Sequence, residues 1–363
     1  AAPAAAPALA AAALPTPQQQ PPTSAAARSA GDGRGERRNS ANDETQAARA
    51  KLATASLVDQ AARDEDGAAA AARGASASAA PGGGSSASTF GARTAAAAAA
   101  ASAEEALADP QEVKEYVEDI YSKLFRDEVL YLPRPNFMDS QKDINGKMRA
   151  ILVDWLVEVH TKYQLRVETL FLTVNLLDRY LARMPIARGR LQLVGVVAMF
   201  VASKYEEMRP PDVKDFVYIT DNAYTKEDIL VMECTLLTTL GFQIACPTAA
   251  QFLDLLVRAN GCDERHRQVA QYAAELALLE LGMVRHSPSH LAAAAMLVSN
   301  EILGRQPAWP APLARKSRHA EQALRACAAE LRALLRGAAT MSLQAVRKKF
   351  TLPRHQSVAT MVL

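Results

Sequence analysis

The sequence predicts an all-α protein: two sequential blocks of about five helices each, preceded by one separate helix and a long low-complexity tail. Three observations carry this expectation. From Asp109-Pro110 onward, apolar residues recur at the 3.6-residue spacing of amphipathic helices. No stretch longer than a few residues alternates apolar and polar as a half-buried strand does. The helical runs are also punctuated by residues that start or stop helices, which separates one from the next.

Residues 1–109 are built from Ala, Pro, Gly, Ser and Gln, as in PTPQQQPPT and PGGGSSAS, with few large apolar side chains. Such a segment buries too little apolar area to offset its ordering entropy and is expected to be disordered, with transient helix in TAAAAAAASAEEALA. Residues 110–132 then open with Pro110 and carry Val113, Val117, Ile120, Tyr121 and Leu124 at helical spacing. The first block, 133–246, holds expected helices at 147–163, 167–183, 189–207, 211–219 and 225–240. Two prolines in MRPPD stop the third, and the second of them can start the fourth. Thr225 with Asp228 forms a capping-box pattern, and Gly241 ends the fifth helix. The second block, 247–363, begins at Pro247 with helices expected at 248–259, 263–282, 288–303, 317–336 and 339–349.

Composition excludes several classes of function. The 41 Lys and Arg residues nearly balance 39 Asp and Glu, so neither nucleic acid nor an anionic membrane is favoured as a partner. The four cysteines (Cys234, Cys246, Cys262 and Cys327) are far apart and form no C-x-x-C pair, which suggests neither a disulfide framework nor a zinc site and fits a reducing compartment. Apolar runs such as LQLVGVVAMFVASKY are too short or interrupted to span a bilayer. Because the chain begins with Ala, it is read as processed or as a fragment.

Two features do not fit a simple helical core. In MRAILVDWLVEVH (148–160), Met148, Leu152, Trp155 and Val159 form one stripe, while Val153, Leu156 and Val157 form a second apolar arc. One core does not easily cover both. In helix 225–240, Glu233 lies inside the arc of Ile229, Met232, Leu236 and Leu240, and in helix 189–207, Lys204 lies among Leu193, Val197 and Phe200. A buried unpaired charge is costly, so these two are expected to meet. The residues alone leave two roles open for the pair: an internal bond that fixes helix register, or the rim of a partner interface.

Motifs for chemistry are absent. There is no G-x-x-x-x-G-K-[ST], H-E-x-x-H or G-x-S-x-G, and the glycines of GDGRGERR follow no strand. His286 and His290 in HSPSH have a proline between them and no neighbouring Cys or carboxylate, which suits a loop or helix cap better than a metal. A binding protein is favoured over an enzyme, with no metal and no cofactor expected.

The chain resembles the mitotic cyclins, regulatory subunits of cyclin-dependent kinases, in MRAILVDWLVEVH, ETLFLTVNLLDRYL, LQLVGVVAMFVASKYEE, PPDVKDFVYITDNAYTKEDILVME and AVRKKF. SKYEE, ITDNAYTKEDIL and PSHLAAAA look more B-type, CPTAAQFL more A-type, and B-type is favoured. The resemblance covers about 110–363. It implies tandem cyclin boxes at 133–246 and 247–363 after the N-terminal helix 110–132, and a non-catalytic subunit that activates a protein serine/threonine kinase at the G2/M transition, in nucleus and cytoplasm. By the same resemblance Lys204 and Glu233 contact the kinase. Met148, Leu152 and Trp155 form a docking patch for substrates and inhibitors with an Arg-x-Leu motif. Asp154 and Glu158 would accept from the motif's cation, with Arg188 and Gln192 at the rim. In the tail, RAKLATASL (49–57) resembles a destruction box read by a ubiquitin ligase, with Arg49 and Leu52 as anchors and Lys51 as a nearby acceptor, although Leu57 replaces its usual Asn. A transcription scaffold of the TFIIB type shares the double fold and is the alternative, but it calls for a basic face that the balanced charge of 110–363 supports only weakly.

Overall fold

The structure, a computed structural model, describes residues 116–361. The tail residues Arg49, Lys51 and Leu52 lie outside the described residues. Among the described residues there are twelve α-helices and no strand. They are α1 (Val117–Asp127), α2 (Gly146–Lys162), α3 (Val167–Leu181), α4 (Leu191–Glu206), α5 (Val213–Ile219), α6 (Lys226–Thr239), α7 (Ala249–Asn260), α8 (Glu264–Leu279), α9 (Pro288–Ile302), α10 (Ala311–Ser317), α11 (Glu321–Gly337) and α12 (Ala345–Thr351).

Each block is built around one helix that is apolar on nearly every side, the signature of a helix buried all round. In the first block this is α4, buried from Leu193 through Ser203 and packed against α3, α6 and α2. Gly195 lets α2 come close, since a Cβ there would stand 2.8 Å from Leu152 Cδ1. In the second block it is α9, whose small residues Ala292, Ala293, Ala294 and Ala295 admit α7, α8 and α11 on all sides.

Caps set several boundaries. The Thr225–Asp228 capping box is formed, with Asp228 N–H donating to Thr225 Oγ1 at 3.1 Å and Thr225 N–H to Asp228 Oδ2 at 2.9 Å. Gly241, at φ +62°, ends that helix. Helix α5 starts at Val213 rather than at the second proline, because Asp212 and Asp215 form a capping box of their own. The expected helix 110–132 ends at Asp127 and tightens into a 3₁₀ turn, Glu128–Tyr131. Glu128 turns inward there and accepts from Ser289 N–H at 2.8 Å and Ser289 Oγ at 2.7 Å.

The second block departs more from expectation. It has six helices, because α10 forms in a proline-rich stretch read as a connection, with Pro312 tolerated in its first turn. Arg318, in left-handed backbone at φ +60°, then delays α11 to Glu321. Helix α8 stops at Leu279 and gives way to a 3₁₀ turn, Leu281–Arg285. Helix α12 starts six residues later than expected, where Asp154 Oδ1 accepts from Ala345 N–H at 2.9 Å.

Candidate functional sites: an ion-paired apolar surface and an open helix face

The two misplaced charges find each other. Lys204, in the last turn of α4, is ion-paired with Glu233 on α6. The pair is not a closed core pair: the Lys204 side chain is 42% exposed and that of Glu233 12%. Lys204 Nζ also lies 4.2 Å from the centroid of the Phe200 ring. Nearby positions in α4 and α6 present large apolar side chains to solvent, among them Tyr205, Leu230 and Val231, and Phe242 follows Gly241 in left-handed backbone. Exposed apolar side chains that form a contiguous patch mark interaction surfaces. Sequence reasoning missed them, although a signal existed: Leu230 and Val231 lie outside the buried arc of Ile229, Met232 and Leu236 and are therefore surplus to the core.

The second glutamate of SKYEE has a different task. Glu207 Oε1 accepts from Arg166 N–H at 2.7 Å and Thr169 Oγ1 at 2.5 Å, closing the N-terminus of α3. Glu206, half-buried beside Glu168 and Glu207, has its carboxyl pushed up, first by burial and then by these like charges.

On α2 the arc that enters the core keeps its expected members, whereas the expected open stripe loses two of its four. Val153, Leu156 and Val157 are fully buried in the first block. Leu152 and Val159 are buried as well, Leu152 against Gly195. Met148 and Trp155 are only partly covered, and Ile151, which sequence reasoning passed over, is 43% exposed. At 100° per residue Met148, Ile151, Trp155 and Glu158 fall within an arc of about 80°. The open face is therefore Met148, Ile151 and Trp155, with Leu152 as its floor. Ile151 was legible as the residue three after Met148 and four before Trp155.

Of the expected polar rim, Glu158 and Gln192 are partly buried and Arg188 is exposed, its N–H donating to Asp143 Oδ2 at 3.4 Å. Asp154 is turned at least in part toward the second block, where it accepts from Ala345 N–H. The indole N–H of Trp155 has no acceptor among the described residues.

A profile of the cyclin N-terminal domain matches residues 119–245, and one of the cyclin C-terminal domain matches 247–362. The chain belongs to the cyclin family. It is 43% identical over 251 residues to G2/mitotic-specific cyclin-B of Marthasterias glacialis, covering 69% of this chain and 64% of that one. With G2/mitotic-specific cyclin-A of Patella vulgata it shares 41% over 249 residues, 68% of this chain and 58% of that one. With cyclin-A1 of Mus musculus it shares 44% over 250 residues, 69% of this chain and 59% of that one. Mitotic cyclins of A-type and B-type are thus similar to it at comparable identity, and it spans between 58% and 64% of the length of these three. A viral cyclin from herpesvirus saimiri matches with a TM-score of 0.54 at 21% identity, over 59% of this chain and 97% of that one, which shows the shared fold.

Proposed function

We propose that this cyclin is a non-catalytic subunit that binds and activates a cyclin-dependent protein serine/threonine kinase at the G2/M transition. The observation that carries the proposal is the Lys204–Glu233 pair, left open to solvent among exposed apolar side chains. A pair kept only to fix helix register has no need of uncovered Tyr205, Leu230 and Phe242 around it. A partner that covers this surface would gain apolar burial and take hydrogen bonds from the pair's spare donors and acceptors. The kinase supplies the phosphoryl-transfer chemistry. Recovery of the full chain from dividing cells, with the bound kinase identified by mass spectrometry and histone phosphorylation assayed in the same eluate, tests this. Recovery without a kinase or without phosphorylation overturns it.

The open face of α2 is proposed to recruit substrates and inhibitors that carry an Arg-x-Leu motif. The motif's Leu would lie on Met148, Ile151 and Trp155 over Leu152, its cation near Glu158 with a contribution from Asp154, and Arg188 and Gln192 at the rim. A peptide carbonyl would give the Trp155 N–H its acceptor. Full burial of one Leu is worth roughly 1.5–3 kcal/mol, so the contact is weak alone and acts by tethering substrate near the kinase. Replacing Met148, Ile151 and Trp155 together by Ala is expected to raise KM for a substrate with a distant Arg-x-Leu motif and to leave a short motif-free peptide unaffected. Equal loss on both would make this face ordinary core.

The segment 49–57 is proposed as a degron anchored on Arg49 and Leu52, with Lys51 as ubiquitin acceptor, and the protein is placed in nucleus and cytoplasm. Arg49→Ala with Leu52→Ala is expected to slow its loss at mitotic exit; an unchanged half-life in synchronised extract speaks against the segment.

A further inference from the structure

Three of the six histidines converge in the second cyclin box, on elements that none of the surfaces above uses. His286 precedes the Ser287 cap of α9, and His290 lies in that helix's first turn. Their rings are parallel, with centroids 5.4 Å apart. His319, in the turn between α10 and α11, stands edge-on to His290 at 5.0 Å. HSPSH looked unlike a metal motif because it has no Cys or carboxylate beside it. The fold supplies both from α11. Cys327 is fully buried, and one donor atom from each of His286, His290 and Cys327 lies within 4.8 Å of the other two. Glu330 Oε2 stands 3.5 Å from His286 Nε2, and Arg285 Nη2 holds both oxygens of Glu330 at 2.6 Å. Neither the Cys327 thiol nor the His290 ring takes part in a hydrogen bond among the described residues. His319 is different, since its Nε2 is 3.1 Å from Ser289 Oγ.

The geometry points to a zinc-class metal site in the second box, with His286, His290 and Cys327 as protein ligands and a water in the fourth position. Two imidazoles and a thiolate are the donors that Zn²⁺ favours, while Mg²⁺ and Ca²⁺ take oxygen. With Zn–N near 2.0–2.1 Å and Zn–S near 2.3 Å, tetrahedral donors stand roughly 3.4–3.6 Å apart, so closing the site takes a movement of about 1 Å. The partly buried imidazoles of His286 and His290, at the start of α9, can supply it. On binding, the thiol proton passes to solvent and the sulfur's electron pair goes to the metal. Glu330, its charge matched by Arg285, acts as the outer carboxylate that orients His286. His319 stays with Ser289 and walls one side. The metal would tie the start of α9 to α11.

The test uses the full chain, reduced and stripped of metal, titrated with Zn²⁺ against a chromophoric chelator and separately with Co²⁺. One equivalent of Zn²⁺ is expected, and the Co²⁺ form should show thiolate-to-metal charge transfer with the absorption of a four-coordinate site. His290→Asn and Cys327→Ser are each expected to weaken Zn²⁺ binding by at least roughly 10- to 100-fold, whereas Cys234→Ser and His355→Gln should leave it unchanged. Because Cys327 is buried and its replacement can disturb the fold, His290→Asn decides, provided its metal-free form melts like the parent. Failure to take up one equivalent overturns the site, as does binding that survives His290→Asn or a Co²⁺ form without the thiolate band.

Discussion

At the scale of single residues, the exposure of Lys204 decides what its ion pair does. A side chain 42% open to water has its charge screened, so the pair adds little to the stability of the free protein. Covered by a partner, the same pair loses that screening, and truncating one member strands the other. Lys204→Ala and Glu233→Ala are therefore each expected to weaken kinase binding about 10- to 100-fold, on the order of 1.4–2.8 kcal/mol, with melting nearly unchanged. Normal kinase affinity in a variant that melts several degrees early would make the pair internal. That these two meet was legible because each interrupts an apolar arc; how open they stand was not, since exposure depends on what the neighbouring helices leave uncovered. His160 and His355 show a second consequence of burial. Desolvation first, and then the Lys349 charge, holds His160 well below the usual imidazole value and His355 down to about 4. A histidine depressed in the fold binds its proton more readily unfolded, so the stability these groups contribute is complete above the unfolded value near 6.5 and is lost as pH falls toward the folded values. Melting temperature is expected to drop from pH 7 to pH 5, and His160→Gln with His355→Gln should flatten part of that slope. A double variant as acid-sensitive as the parent would place the effect elsewhere.

At the scale of elements, α2 divides its surface three ways. One arc enters the first box, Arg149 and Asp154 turn toward the second, and Met148, Ile151 and Trp155 stay open. The open arc keeps its position because Leu152, its floor, packs into the space left by the missing side chain of Gly195 on α4. Gly195→Ala places a Cβ 2.8 Å from Leu152 Cδ1 and 3.2 Å from Cγ, too near for the leucine to stay where it is. Overpacking costs about 1–3 kcal/mol, against roughly 1 kcal/mol gained from the better helix former. The net expectation is a modest loss of stability, up to about 2 kcal/mol, with Leu152→Val restoring much of it in the double variant. A raised melting temperature in Gly195→Ala alone would show that the helices can separate freely. The spacing in the sequence displayed the division of α2, but a straight-helix projection could not decide which of Leu152 and Ile151 faces out. The same kind of limit explains α10, α11 and α12. Pro312 sits in a first turn, which no expected helix covered, Arg318 gives no local sign of left-handed backbone, and the start of α12 is fixed by Asp154, far away in the chain.

At the scale of the whole molecule, the described residues form one continuous core in which the two boxes are bonded directly. Helix α1 docks on the second box, where Phe125 packs on Phe252 with ring centroids 4.8 Å apart and Lys316 reaches Glu118 at 2.8 Å. The principal polar joint is Arg149, 1% exposed, which donates from Nε and Nη2 to the two oxygens of Asp178, both at 2.6 Å, and from Nη1 to the Leu278 carbonyl of the second box at 2.9 Å. None of these partners is near another in sequence, so periodicity and capping, which are local signals, could announce the helices but not this joint. Its energetics follow from burial. The attraction of a buried pair is largely spent on removing both ions from water, yet deleting one leaves an uncompensated charge and an unsatisfied carbonyl, at about 3–5 kcal/mol. Arg149→Ala is expected to lower the denaturation midpoint sharply. Arg149→Met with Asp178→Leu, which removes both charges and keeps volume, should recover much of the loss even though it deletes the bond to Leu278, because a well-packed apolar replacement is often neutral or better. If the single variant unfolds as late as the parent, water reaches Asp178 and the Arg149 joint adds little to stability. If the double variant is no better than the single one, the loss comes from the hydrogen bond to the Leu278 carbonyl, by which Arg149 reaches the second box, and not from the stranded charge of Asp178.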